Sequence, residues 1–168
     1  MVEEIELKLT LAAKDTQRFL RHPLLRQAAT HTLATLDNIY YDTPDLALQR
    51  RGIALRLRRQ SRQWRQTVKL AGTVAAGLAS RPEWETPYAG QFDFSAIDDE
   101  KLRTWLQRPR LLARLAPVFR TQFRRRTWRF AVPHADNDGG DGAVLLTLDR
   151  GHIHAGEREE AICEIELE

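Results

Sequence analysis

The chain opens on a strictly alternating stretch. Glu4, Glu6 and Lys8 fall on one side, and Ile5, Leu7 and Leu9 on the other. That period of two is the mark of a strand whose successive side chains point to opposite faces. The pattern returns at the other end, in Cys163-Glu164-Ile165-Glu166-Leu167-Glu168, where three carboxylates share a face. Between these ends, Lys14 to Gln27 predicts a short helix or two interrupted at Pro23. Thr30 to Asp42, rich in β-branched and aromatic residues, predicts a second strand. Thr43-Pro44 has the form of an N-cap and first helical residue, and Gly52 closes the turn after Arg51, which predicts a short helix from Pro44 to Arg50.

Ile53 to Arg59 alternates again, with Ile53, Leu55 and Leu57 against Arg56 and Arg58. After a turn at Ser61-Arg62, Trp64 to Leu70 sets Trp64, Gln66, Val68 and Leu70 against Arg65, Thr67 and Lys69. The pair predicts a β-hairpin. Ala71 to Ser80, small and Gly-containing, predicts a flexible loop. Arg81 to Tyr88 predicts a strand with Arg81, Glu83 and Glu85 opposite Trp84. Phe94 to Leu106 predicts a helical turn or two and an amphipathic helix ended by Arg108-Pro109, and Leu111 to Leu115 a further turn. Val118 to Val132 predicts a long strand, and Val144 to His154 with Glu157 to Glu168 a final hairpin turning near Ala155-Gly156. The polar loop His134 to Gly142 resembles a calcium loop in composition only, since it lacks the glutamate ligand at the required spacing.

About eight strands in neighbouring antiparallel pairs, with about three helices, predict an α+β fold built on an eight-stranded antiparallel β-barrel. If Glu4, Glu6, Lys8, Arg56, Arg58, Lys69, Glu83, Asp149, Glu164 and Glu166 all point inward, the barrel is a charged tunnel. Its apolar outer faces then need cover from helices or a second subunit. Were the two end strands to pair, four or five carboxylates would share one surface, which is costly without a cation among them.

Composition narrows the picture further. The 168 residues, 42% hydrophobic and 29% charged, suit one globular domain with a sizeable core. A single cysteine, Cys163, rules out an internal disulfide and a thiolate zinc cluster, and suits a reducing cytoplasm. The N-terminus lacks the basic and apolar regions of a signal peptide, and no apolar run is long enough to span a bilayer. The expected location is the cytoplasm. The net charge is only +3, but its distribution is uneven. No acidic residue occurs from Leu46 to Pro82 or from Lys101 to Ala135, while these stretches carry nine and ten basic residues. Such segregation points to an anionic partner, nucleic acid or polyphosphate. A nucleic-acid-binding module is disfavoured because clustered carboxylates on the end strands would repel phosphate without a metal. His22, His31, His134, His152 and His154 show no ligand spacing with the carboxylates. Trp64, Trp84, Trp105 and Trp128 read as packing residues and Cys163 as a packed thiol.

Glu4-x-Glu6-x-Lys8 resembles the signature of the CYTH superfamily, the triphosphate tunnel metalloenzymes. Further stretches are similar to this family in the same order: Tyr41-Asp42-Thr43-Pro44, Ala54-Leu55-Arg56-Leu57-Arg58, Thr67-Val68-Lys69, Arg81-Pro82-Glu83, Phe123-x-Arg125-x-x-Trp128, Leu148-Asp149-Arg150-Gly151 and Glu164-Ile165-Glu166-Leu167-Glu168. The resemblance extends over residues 1–168 and is strongest to bacterial inorganic triphosphatases, some of which continue into a C-terminal CHAD domain. It implies metal-dependent hydrolysis of tripolyphosphate to pyrophosphate and orthophosphate. Glu4, Glu6, Asp149, Glu164 and Glu166 would hold Mg²⁺ or Mn²⁺, and Lys8, Arg56, Arg58, Lys69 and Arg125 would clamp the phosphates. Glu83 would lie near them on the substrate side. Glu4, Glu6, Lys8, Glu164 and Glu166 form the expected catalytic set. Alternation alone leaves Arg124 and Arg126 as alternatives to Arg125; the family spacing to Phe123 and Trp128 favours Arg125. Glu85 and Glu168 stay open between site and solvent. The resemblance also implies a domain cut short at its C-terminal end, where a further helix would follow, and leaves open a homodimer. Thiamine triphosphatase, nucleoside triphosphatase and adenylyl cyclase activities share the signature, and a non-catalytic polyphosphate- or nucleic-acid-binding module is the rival outside enzymes.

Overall fold

A computed structural model describes residues 2–60, 62–75, 78–132 and 142–168, without the side chains of 2–4, 60 and 73–75. Strands β1 (Val2–Thr10), β2 (Thr30–Asp42), β3 (Ile53–Gln60), β4 (Gln63–Leu70), β5 (Thr73–Ala75), β6 (Leu78–Pro87), β7 (Ala116–Val132), β8 (Gly142–Ala155) and β9 (Arg158–Leu167) are joined by α1 (Thr16–Leu20), α2 (Glu100–Leu106) and α3 (Pro109–Leu112). The sheet runs β1-β9-β8-β7-β2-β3-β4-β6-β5, and a further pairing of β1 with β6 closes it. Eight antiparallel strands therefore form a barrel, with the short β5 appended to β6. The two ends of the chain meet: Leu7 lies opposite Leu167 and Lys8 opposite Glu166. Closure leaves the ring itself with no open edge.

The core lies outside the barrel. On one flank Ile53 and Leu55 of β3, Val68 of β4 and Trp84 of β6 pack under Phe94, Ile97, Leu106 and Leu111. Asp99 caps α2 by accepting from the Leu102 N–H at 3.0 Å, which aims the apolar stripe of that helix at the barrel wall. Pro109, which ends α2 as expected, also starts α3 as its first residue. On the opposite flank Trp128, Leu146 and Leu148 are covered by Phe19 and Leu20 of α1 and by Leu25 in the 3-10 turn Pro23–Gln27. Each fully buried Leu or Val contributes about 1.5–3 kcal/mol. The wall is stabilised from outside, so its inner face can be given over to charge.

Two expectations are corrected. The stretch from Pro44 to Arg50 is not a helix but a turn followed by a 3-10 turn at Gln49–Arg51. The buried Asp42 carboxylate accepts from the backbone N–H of Thr43 (2.7 Å), Leu48 (2.9 Å) and Gln49 (2.9 Å), satisfying donors that helical bonds would otherwise take. Leu46, at φ 55°, interrupts the helical run, and Gly52, at φ 67°, ends the segment as expected. Within the stretch from Ala71 to Ser80, expected as a loop, residues 73–75 and 78–80 are strand instead: β5 pairs with β6, Thr73 opposite Ser80 and Ala75 opposite Leu78. The pairing escaped notice because β5 is three uncharged residues long, too short for an alternation to show. The calcium-like loop at 134–141 lies outside the described residues. Among the described residues no helix is long and apolar enough to cross a membrane.

Candidate active site

Alternation brings the charged residues of seven strands to a common interior cavity of about 500 Å³. Glu6 and Lys8 from β1, Arg56 and Arg58 from β3, Lys69 from β4, Arg81 and Glu83 from β6, Arg125 from β7, Asp149 from β8, and Glu164, Glu166 and Glu168 around β9 line it. Every expected inward residue with a described side chain is among them. Glu4 lies two residues before Glu6 on β1, opposite Arg81 in register; its side chain lies outside the described residues. Arg125 faces the cavity, whereas Arg124 and Arg126 line a groove on the outer wall. Glu168 lines the cavity; Glu85 does not, and pairs with Arg65 instead.

The carboxylates divide into two groups. Oxygens of Glu6, Glu166 and Glu168 lie within 4.8 Å of one another, a set of hard donors that fits a small divalent cation such as Mg²⁺ or Mn²⁺. Asp149 is instead held by Arg125, whose Nε donates to Oδ1 at 2.8 Å and Nη2 to Oδ2 at 2.6 Å. Arg125 also donates to Glu166 and lies 3.7 Å from Glu168. Lys8 bridges Glu164 at 2.8 Å and Glu166 at 2.9 Å, and Arg81 donates to Glu6.

These contacts set the charge states. Burial works against the Lys8 ammonium, but the bonds to Glu164 and Glu166 outweigh it and hold its pKa above the ordinary lysine value. Arg125 behaves the same way: burial opposes its charge, and Asp149, Glu166 and Glu168 more than restore it. Burial pushes the Asp149 carboxyl up despite Arg125. For Glu166 burial is again the largest influence, yet Arg125 and Lys8 together hold it below the usual carboxylate range.

The cations on the opposite wall are less well matched. Lys69 meets Glu83 at 2.7 Å, and Arg56 lies 3.9 Å from the same carboxylate while donating to Thr67 Oγ1 at 3.1 Å. The buried Nε of Arg56 has no hydrogen-bond partner. Arg58 donates to Asn38 Oδ1 at 2.9 Å but, among the described residues, makes no ion pair. Burial, followed by repulsion from Arg56 and Arg125, pushes its pKa down to about 10. A buried orphan N–H and an uncompensated guanidinium on one wall form a site for an anion.

Some lining residues escaped the sequence reading. Arg81 carried a usable signal, since it shares the alternating face of Glu83. Asn38, Tyr40, Thr121 and Phe119 carried none, being neutral residues on strands without charge alternation. Asn38 links Arg58 to Thr121, donating to the threonine hydroxyl at 2.8 Å, and the rings of Tyr40 and Phe119 stack with centroids 4.3 Å apart.

Residues 3–168 match the model of the CYTH domain. The chain is 31% identical over its full length to an inorganic triphosphatase of Haemophilus influenzae, and spans 45% of that relative's length. Among solved structures it is similar to a putative adenylyl cyclase from Hippeastrum, described as having a dominant triphosphatase activity. That likeness has a TM-score of 0.56 at 19% identity, covering 99% of this chain and 79% of that one. The PH1819 protein of Pyrococcus horikoshii gives a TM-score of 0.54 at 19% identity, covering 99% and 76%. At such identity these two likenesses speak for the fold.

Proposed function

The chain belongs to the CYTH domain family, and from that premise we propose that it hydrolyses inorganic triphosphate to pyrophosphate and orthophosphate inside the tunnel. The observation that carries this reading is the juxtaposition across one cavity of the under-neutralised Arg56 and Arg58 with the carboxylate trio Glu6, Glu166 and Glu168. Arg56, Arg58 and Lys69 bind the phosphate oxygens, Arg offering planar forks and Lys a point charge. Glu83 holds Lys69 and Arg56 in place. Arg125, fixed by Asp149, presents its guanidinium between the two walls. Lys8 holds Glu164 and Glu166 together through its two ion pairs.

Glu6, Glu166 and Glu168 would hold Mg²⁺ or Mn²⁺, with Glu4 and Glu164 as further ligands from the same strands. The metal, when bound, supplies charge neutralisation for the phosphates and a more acidic water. Water adds its oxygen to a terminal phosphorus, the P–O–P bond to the next phosphorus breaks, and the proton passes to a carboxylate of the end strands. Phosphoryl transfer of this kind needs positioning and charge compensation rather than a nucleophilic side chain.

One observation favours a second reading. The stacked Tyr40–Phe119 pair lines the same cavity and offers an apolar wall for an aromatic group carried by an organic triphosphate. Phosphate release from tripolyphosphate, ATP and thiamine triphosphate, each with Mg²⁺, Mn²⁺ or EDTA, tests both. Fastest metal-dependent release from tripolyphosphate is expected. Preference for ATP or thiamine triphosphate would select the second reading, and release undiminished by thorough chelation would overturn the metal assignment.

A further inference from the structure

A second basic concavity lies on the outside of the barrel. The 3-10 turn Gln49–Arg51 and the α2–α3 pair enclose a groove of about 920 Å³, lined by Arg50, Arg51, Arg108, Arg110, Arg114 and Trp105. The fold thus brings together residues of the two acid-free stretches, which are far apart in the chain. Asp45 pairs with both Arg50 and Arg114. Among the described residues Arg51, Arg108 and Arg110 have no carboxylate within ion-pair distance. Five guanidiniums against one carboxylate leave four charges unmatched around one groove.

We propose that this groove is a second phosphate site, separate from the tunnel, that takes a linear inorganic polyphosphate longer than the triphosphate of the tunnel. Charge density decides the class of ligand. A peptide would have to bring four acidic side chains into a groove of this size, whereas a phosphate chain carries a charge on every unit and suits planar Arg forks. Single-stranded nucleic acid is held in large part by bases stacked on aromatic rings. Trp105 packs against the outer core, and the Arg51 guanidinium covers its ring at 4.5 Å from the centroid. The groove therefore presents guanidiniums for phosphates, with its one aromatic ring covered by Arg51 rather than bare for a stacked base.

The test is titration calorimetry with long-chain linear polyphosphate in EDTA, so that turnover does not consume the ligand. Arg108→Ala/Arg110→Ala should weaken binding about tenfold, and Arg108→Glu/Arg110→Glu should abolish it. Both variants should bind tripolyphosphate in the tunnel as the parent does, which reports an intact barrel. Arg56→Ala should do the reverse, losing tripolyphosphate and keeping the long chain. Unchanged long-chain affinity in the groove variants, or its loss in Arg56→Ala, would overturn the proposal. Tighter binding of single-stranded RNA or an acidic peptide than of polyphosphate would do the same.

Discussion

Arg125 grips Asp149 with two parallel bonds, Nε to Oδ1 at 2.8 Å and Nη2 to Oδ2 at 2.6 Å, across directly paired positions of β7 and β8. Asp149 is 2% exposed, so its carboxylate is buried in the wall of the cavity that the pair lines. Removing one member strands the other. Arg125→Leu should cost about 3 kcal/mol of stability, because it leaves Asp149 buried near Glu166 without its counter-charge. The double variant Arg125→Leu/Asp149→Leu should recover most of that loss. Denaturant unfolding of the parent and both variants checks this, and a double variant no more stable than Arg125→Leu would contradict it.

Arg58 should behave in the opposite way. Because its folded pKa lies below the unfolded value, its charge opposes folding at pH below about 10, and the opposition fades only as pH rises beyond that. At neutral pH Arg58→Met should therefore raise the melting temperature of the ligand-free protein by a few degrees, while shrinking the further rise that tripolyphosphate produces. Thermal melts with and without ligand read both effects. A lower ligand-free Tm would mean that the Asn38 contact outweighs the repulsion.

Glu6→Gln, Glu166→Gln and Glu168→Gln should each reduce metal-dependent phosphate release about a hundredfold, with the fold preserved. Each removes an anionic donor from the trio without changing its size. Isothermal titration with Mn²⁺ alone should show the parallel loss of metal binding. Unfolding of all three variants, seen by circular dichroism, would instead give these carboxylates a structural role.

Arg56→Ala and Lys69→Ala should raise KM for tripolyphosphate far more than Arg62→Ala. The first two face the cavity from β3 and β4, whereas Arg62 is exposed in the turn between those strands. Steady-state kinetics on the three variants decides, and equal effects would indicate a diffuse basic surface.

Much of this was legible from residue order. Strict alternation in β1, β3, β4 and β9 announced strands with one charged face, because a pleated backbone sends neighbouring side chains to opposite sides. The family signature then identified which of those faces belonged together. Alternation could not decide among Arg124, Arg125 and Arg126, since a one-residue slip exchanges the two faces; the register of β7 against β8 settles it by placing Arg125 opposite Asp149. Nor could sequence announce that Asp42 would unmake a helix by capturing backbone donors six and seven residues ahead, or that β5 would pair through three uncharged residues, a run too short to show a pattern. The division of labour among the carboxylates is likewise tertiary. Glu166 and Asp149 look alike in the chain, each an acidic residue on an alternating strand. The pairing of β1 with β9 places Glu166 beside Glu6 and Glu168, and the pairing of β7 with β8 holds Asp149 on Arg125. Local chemistry determined which faces were charged; only the long-range strand pairing, which brings the first and last strands side by side, decided which charges meet.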